Sequence, residues 1–249
     1  MKEGEKMRMR CTFKTERIPL AYHMMFISMI KEALKIEDEE YLNKLYYFEG
    51  KKNKKSKNFV FSVYLKDYQM DKSEIKINEV VEFNISSPDT EFMLKLYNGI
   101  LKKKSFSYKK IYNMDKLRIS IQPEKNILQE EICFKTLSPI YIKNKDRQVV
   151  SPTNREYSKE FNYIQNMILK NYRGYGLKRN IEFTPVLMKE KVVKEHIEDF
   201  TNVSGRDTYY TQAYSGIFKL CGDASDLKDI YMLGVGFRRN QGFGMIEVV

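Results

Sequence analysis

The residues with the clearest capacity for chemistry lie in the stretch LGVGFRRNQGFGMIEVV. Gly234, Gly236, Gly242 and Gly244 bracket a short run of Arg238, Arg239, Asn240 and Gln241. Glycine accepts positive φ and lets another backbone approach closely, and successive N–H groups in such a turn can form a nest for an anion. Two guanidinium groups beside it suit phosphate. A simpler reading competes, in which the glycines only shape a turn into a final strand. Nucleotide motifs do not fit. G-x-G-x-x-G needs an early strand–helix unit with an acidic residue about twenty positions on, and G-x-x-x-x-G-K-[ST] does not occur.

Groups that move protons near neutrality are scarce, with two histidines in the chain, His23 and His196. A histidine pKa near 6.5 suits a general base. On a helical projection of LAYHMMFISMIKEALKI, His23 falls beside Ile27, Ile30 and Leu34, so a buried role and a catalytic role both stand. Ser28, Lys31 and Lys35 share the opposite, polar face. His196, in KVVKEHIEDF, reads as a surface residue.

These groups belong to a chain of 249 residues, long enough for one large domain or two small ones. Hydrophobic residues at 42% and aromatics at 13% describe an ordinary folded protein. Charge is the outlier: 44 Lys and Arg against 33 Asp and Glu give +11. That excess points to a polyanionic partner, nucleic acid first and an anionic membrane surface second. Cys11, Cys133 and Cys221 are widely spaced, which argues against a disulfide framework or zinc ribbon, and no metal or cofactor is expected. No apolar run reaches the ~18 residues of a membrane span, and MKEGEKMRMR lacks a signal peptide's apolar core. A soluble, cytoplasmic protein with no membrane partner is expected.

The elements that must position these groups follow a repeated rhythm. In the first half, MRMRCTFKTE reads as a strand and the histidine segment as a helix. After the lysine-rich loop EGKKNKKSKN, FVFSVYLKDY and INEVVEFNISS alternate as strands. SPDTEFMLKLYNGILKKK is a helix capped by Ser87, with Asp89 and Glu91 in its first turn, and MDKLRISIQPE is a strand. The second half gives strands EICFKTLSPIYI and RQVVS and the helix NREYSKEFNYIQNMILKNY. Strands IEFTPVLMKEKVV and YYTQAYSGIFKL, helix SDLKDIYMLG and strand GMIEVV complete it. Two successive β-α-β-β-α-β patterns predict an α+β protein of tandem ferredoxin-like folds, divided as 1–124 and 125–249.

The arrangement G-x-G-x(5)-G-x-G before a final strand resembles the glycine-rich signature of CRISPR-associated endoribonucleases that process repeat RNA, members of the RAMP superfamily. FKTLSPIYI and VVSPTNREYSKEFNYIQNMI are similar to the family's strand, and strand with helix, in the second half. The resemblance implies two RRM-like folds with RNA along a basic cleft and across the glycine loop. It implies metal-independent cleavage of precursor guide RNA within the repeat, leaving a 2′,3′-cyclic phosphate and a 5′-hydroxyl. Mature guide RNA would pass to an interference complex, with the enzyme a monomer or homodimer.

Many members of that family carry a histidine shortly after the first helix, where this chain has Asn43 in EEYLNKLYYFEGKK. A neutral amide cannot act as a base, which keeps a second reading open: a non-catalytic subunit that binds repeat RNA. For cleavage, the resemblance directs attention to Lys31 and Lys52 as cations for the phosphorane, with His23 as the available base. Lys51, Lys54, Arg155 and Lys159 are expected at RNA phosphates, the last two at a helix N-terminus. Gly236, Arg238, Arg239, Asn240 and Gly242 are expected to form the loop's contact with RNA, and Tyr209, Tyr210 and Tyr214 to stack on bases.

Overall fold

The computed structural model describes residues 7–48, 51–53, 56–195 and 209–249. Its first half contains β1 (Met7–Lys14), β2 (Arg17–Pro19), α1 (His23–Glu37), α2 (Glu39–Tyr46), and the short strands β3 (Tyr47–Phe48) and β4 (Lys51–Lys52). β5 (Val60–Met70), β6 (Glu74–Ser87), α3 (Thr90–Lys102), β7 (Ser105–Tyr108) and β8 (Tyr112–Gln122) follow. The second half contains β9 (Glu131–Thr136), α4 (Tyr157–Arg173), β10 (Glu182–Glu195), β11 (Tyr209–Cys221), α5 (Ala224–Leu233) and β12 (Ile246–Val248).

Sheet order reveals the repeat. In the first half the central strands run β5-β6-β1-β8, all antiparallel. The second sheet runs β10-β11-β9-β12, also antiparallel. Both place the second, third, first and fourth strands of a β-α-β-β-α-β unit side by side, so the expected tandem ferredoxin-like fold is what the chain adopts. β2 and β7 are additions at the first sheet's margins.

Local sequence accounts for most of this. Met25, Phe26, Met29, Ile30, Ala33 and Leu34 recur at three- and four-residue spacing and form the buried face of α1. The second half has its own core, in which Phe161 and Leu169 of α4 lie with Phe134 and Phe218 of the sheet. Three expectations need correction. The cap of α3 is Asp89, whose side chain accepts from Phe92 N at 3.0 Å, while Ser87 Oγ accepts from Asp89 N one step earlier. The strand over EICFKTLSPIYI stops at Thr136, ahead of Pro139, whose ring has no N–H for a ladder. RQVVS is no strand: it joins a reverse turn through the isolated bridge Lys143↔Val149.

The halves meet through polar ties set among apolar side chains. Arg8 on β1 is buried, its guanidinium 4.2 Å from the Tyr231 ring centroid and bonded to Ile246 O at 3.0 Å. Ser86 Oγ donates to Met232 O at 2.9 Å, and Ser138 Oγ to Phe61 O at 3.4 Å. No helix among the described residues is long and apolar enough to cross a membrane.

Candidate functional site

The glycine loop folds against the start of α1, and glycine is required there for room. A Cβ on Gly242 would sit 2.7 Å from His23 Cδ2, and one on Gly244 only 1.8 Å from Val235 O. Most amides that could have formed an anion nest are committed internally. Val235 N bonds Gly244 O, Gly236 N bonds Gln165 Oε1, Phe237 N bonds Tyr141 O, and Gly244 N bonds Pro139 O, all at 2.8–2.9 Å. The glycines therefore build a closed clasp, and Gly236 and Gly242 act through backbone proximity.

His23 is 7% exposed and sits in an aromatic cage, with ring centroids 4.7 Å from Tyr22, 5.5 Å from Phe243 and 6.4 Å from Phe61. Its Nδ1 is buried without a hydrogen-bond partner. Burial pushes its pKa down from 6.5 to about 4, so the ring is neutral at pH 7. Of its two readings, this geometry supports packing under Gly242. Because the folded pKa lies below the unfolded one, the contribution of His23 to stability is complete above about pH 6.5 and is lost as pH falls through about 4. His23→Phe is therefore expected to flatten the loss of unfolding free energy between pH 6.5 and pH 5. An unchanged slope in denaturant titrations would remove His23 from the buried ledger of charge.

The two arginines of the loop point in different directions. Arg238, at φ 57°, is half-buried, its guanidinium 5.0 Å from the Tyr141 ring centroid and 3.1 Å from Thr211 Oγ1. Arg239 is 3% exposed and reaches inward to Leu233 O, to Ser56 Oγ at 2.8 Å and to Lys57 O at 3.5 Å. Its expected place at an RNA phosphate is corrected by that burial: the guanidinium ties the loop to the first half. Asn240 is half-buried in the turn formed by Arg239–Gln241.

Ser56 and Lys57 connect this clasp to a second group of residues. Tyr46, the last residue of α2, has Lys31 Nζ 4.8 Å and Lys57 Nζ 5.5 Å from its ring centroid. Lys31 is exposed on α1, whereas Lys57 is 5% exposed and donates to Asn53 O at 3.1 Å. Burial lowers the Lys57 pKa and raises that of Tyr46, so the phenol stays protonated while the ammonium gives up its proton more readily. The Tyr46 ring thus holds two cationic side chains within cation–π distance, one exposed and one buried. A cavity of about 230 Å³ opens beside them, bounded by Lys44, Asn53, Ser56, Lys57 and Asn171.

Other expected residues are distributed around this centre. Lys51 and Lys52 form β4, paired in backbone with Phe48 and Tyr47. Lys54 and His196 lie outside the described residues. Asn43 is exposed on α2, and its carbonyl accepts from Tyr47 N at the helix end. Arg155 precedes α4, which starts at Tyr157, so it belongs to the leading turn; Lys159 is exposed in the first helical turn. Tyr210 is exposed on β11 and Tyr214 is half-buried.

Residues 121–248, just over half of the chain, match the family described as "CRISPR associated protein Cas6, C-terminal". The chain belongs to the Cas6 family. A curated relative, "CRISPR-associated endoribonuclease Cas6 1" of Methanocaldococcus jannaschii, is 25% identical over 254 residues, covering 97% of this chain and 92% of the relative. A solved structure described as "CRISPR associated protein Cas6" aligns with a TM-score of 0.74 at 22% identity, covering 98% of this chain and 100% of the other. A Cas6-related protein from Pyrococcus furiosus gives 0.78 at 19%, covering 98% and 99%. A third structure, "An RAMP protein binding different RNA substrates", gives 0.77 at 17%, with the same coverage. The family expected from the glycine signature is the one found. Lys57 and Tyr46 join the candidate site of this Cas6 chain without being expected there from sequence. Lys57 is one lysine among several in KKNKKSK, and the signal that separates it is its place two residues before the apolar run Phe59-Val60-Phe61, which leads into β5.

Proposed function

We propose that this chain is a repeat-RNA endoribonuclease, made of two halves divided near residue 124, that cuts precursor guide RNA within the repeat without a metal ion. What carries the reading is the pair of ammonium groups, Lys31 and Lys57, over Tyr46 beside the glycine loop. Cleavage needs the ribose 2′-oxygen to lose its proton and attack the adjacent phosphorus. The 5′-oxygen then leaves with a proton, so the fragments end in a 2′,3′-cyclic phosphate and a 5′-hydroxyl. Lys57, buried and lowered in pKa, is suited to handle a proton. Lys31, an exposed ammonium, is suited to stabilise the phosphorane, with Lys52 adding charge from β4. His23 holds Gly242 in place, and Arg238, Lys51, Lys54, Arg155 and Lys159 supply phosphate contacts. Product guide RNA passes to an interference complex.

The test is to incubate the full chain with its host's repeat RNA in EDTA and identify the fragment ends. A single cut leaving a cyclic phosphate is the expected result. Activity that vanishes with chelation overturns the metal-independent route. Tight binding with no cut under any ionic condition favours the second reading, a repeat-RNA-binding subunit, which the exposed amide of Asn43 supports.

A further inference from the structure

Glu160 stands out on α4. Tyr157, Phe161, Gln165, Ile168 and Leu169 share the buried side of that helix, and Glu160 lies among them, 8% exposed. Carboxylates are rarely so buried without a partner. Gln165 is bonded through both amide atoms, accepting from Gly236 N at 2.9 Å and donating to Gly234 O at 3.4 Å. The Glu160 side chain has no hydrogen bond or ion pair among the described residues. It lines a cavity of about 280 Å³ together with Lys143, Lys145, Lys159, Tyr163 and Phe237. Phe237 belongs to the glycine loop and carries Lys143 Nζ 5.1 Å from its ring centroid. Tyr163 is 59% exposed, so its ring borders the cavity as a platform.

We propose that this cavity is a base-reading pocket of the RNA site, taking one unstacked nucleotide and selecting guanine. The inference rests on the RNA-binding reading above and adds a specificity to it. An aromatic platform stacks any base, because every base has a π-face. The three lysines suit the phosphates on either side of an extruded nucleotide. Selection then falls to Glu160. An ionised carboxylate only accepts hydrogen bonds. Guanine presents two adjacent donors, N1–H and the 2-amino group, which match both carboxylate oxygens. Adenine and cytosine each offer one amino group beside an acceptor. Uracil offers one N–H between two carbonyl oxygens, which a carboxylate repels. The pocket is thus built to rank guanine first and uracil last.

The probes are unlabelled octauridylates carrying a single guanosine, adenosine or cytidine at a central position, with all-uridine RNA as the fourth. They compete against fluorescent repeat RNA for the full chain. The guanosine octamer is expected to bind about tenfold or more tightly than the all-uridine one. In Glu160→Gln, whose amide offers one acceptor and one donor, that preference should collapse while all-uridine affinity stays within about twofold. Tyr163→Ala, at an exposed position, should weaken all four by about tenfold with an unchanged melting curve. Equal affinity for the four octamers overturns base selection while leaving RNA binding intact. A guanine preference that survives in a folded Glu160→Gln overturns the role of the carboxylate. Undiminished affinity in Tyr163→Ala overturns the platform. Failure of the wild-type chain to hold even repeat RNA overturns the functional reading beneath the pocket as well.

Discussion

Arg239→Ala is expected to lower the stability of the folded chain by about 3 kcal/mol, a loss of charge-assisted hydrogen bonds inside the protein. The guanidinium serves Leu233 O, Ser56 Oγ and Lys57 O from a position 3% exposed to solvent. Removing it leaves Leu233 O and Lys57 O unpaired among buried residues, and frees the glycine loop from the first half. Thermal unfolding should move down by roughly 6–12 °C for a chain of this size. Arg239→Lys recovers little, because a single ammonium cannot span three acceptors held by a planar fork. Arg238→Ala is the contrasting arm. It should leave the melting temperature almost unchanged, weaken RNA binding and reduce the slope of log affinity against log salt by about 1. If Arg239→Ala instead melts like the wild type and loses RNA, the inward assignment is wrong.

Lys57→Met should slow repeat cleavage by about 10²- to 10³-fold with RNA affinity changed only a few-fold. Methionine keeps an apolar stem along Tyr46 and removes only the ammonium that donates to Asn53 O. The pH profile provides a second readout. Since burial lowers the Lys57 pKa, the wild-type rate should rise with pH toward that value if the amine acts as base. In Lys57→Met that rise should vanish. Lys31→Met should also slow the reaction, through lost phosphorane stabilisation, and keep the pH dependence. Single-turnover cleavage measured across pH separates the two. Equal rates for wild type and Lys57→Met would move the chemistry elsewhere on the surface.

The fold was legible because both halves carry the same alternation of apolar period, two in strands and near 3.6 in helices. The first-half sheet and α1 follow from it directly. α2 was passed over because EEYLNKLY is a short helix with no buried residue. Its decisive feature is the cap, where Asp38 accepts from Tyr41 N at 2.8 Å. RQVVS misled for the opposite reason. Its valines have strand character, but Asn144 N and Gln148 O close a turn that leaves only a bridge. At the site, the glycine spacing announced a special loop, while its physical use, clearance against His23 and Val235 O, depends on contacts far away in sequence. The same holds for Arg239, indistinguishable from Arg238 in the chain and opposite to it in space. Lys57 is set apart by its burial, a property of the folded chain that a run of lysines does not announce.

The glycine loop is encoded in the second half yet completed by the first. Gly234 faces Val60, Gly242 faces His23 and Phe61, and Arg239 needs Ser56 and Lys57 O. A chimaera joining this second half to the opening half of another family member would inherit every glycine and lose their seat. The halves must therefore diverge in step, each change on one side limited by what the other tolerates. The segment with the most recognisable spacing in the chain is the one least able to be transplanted alone.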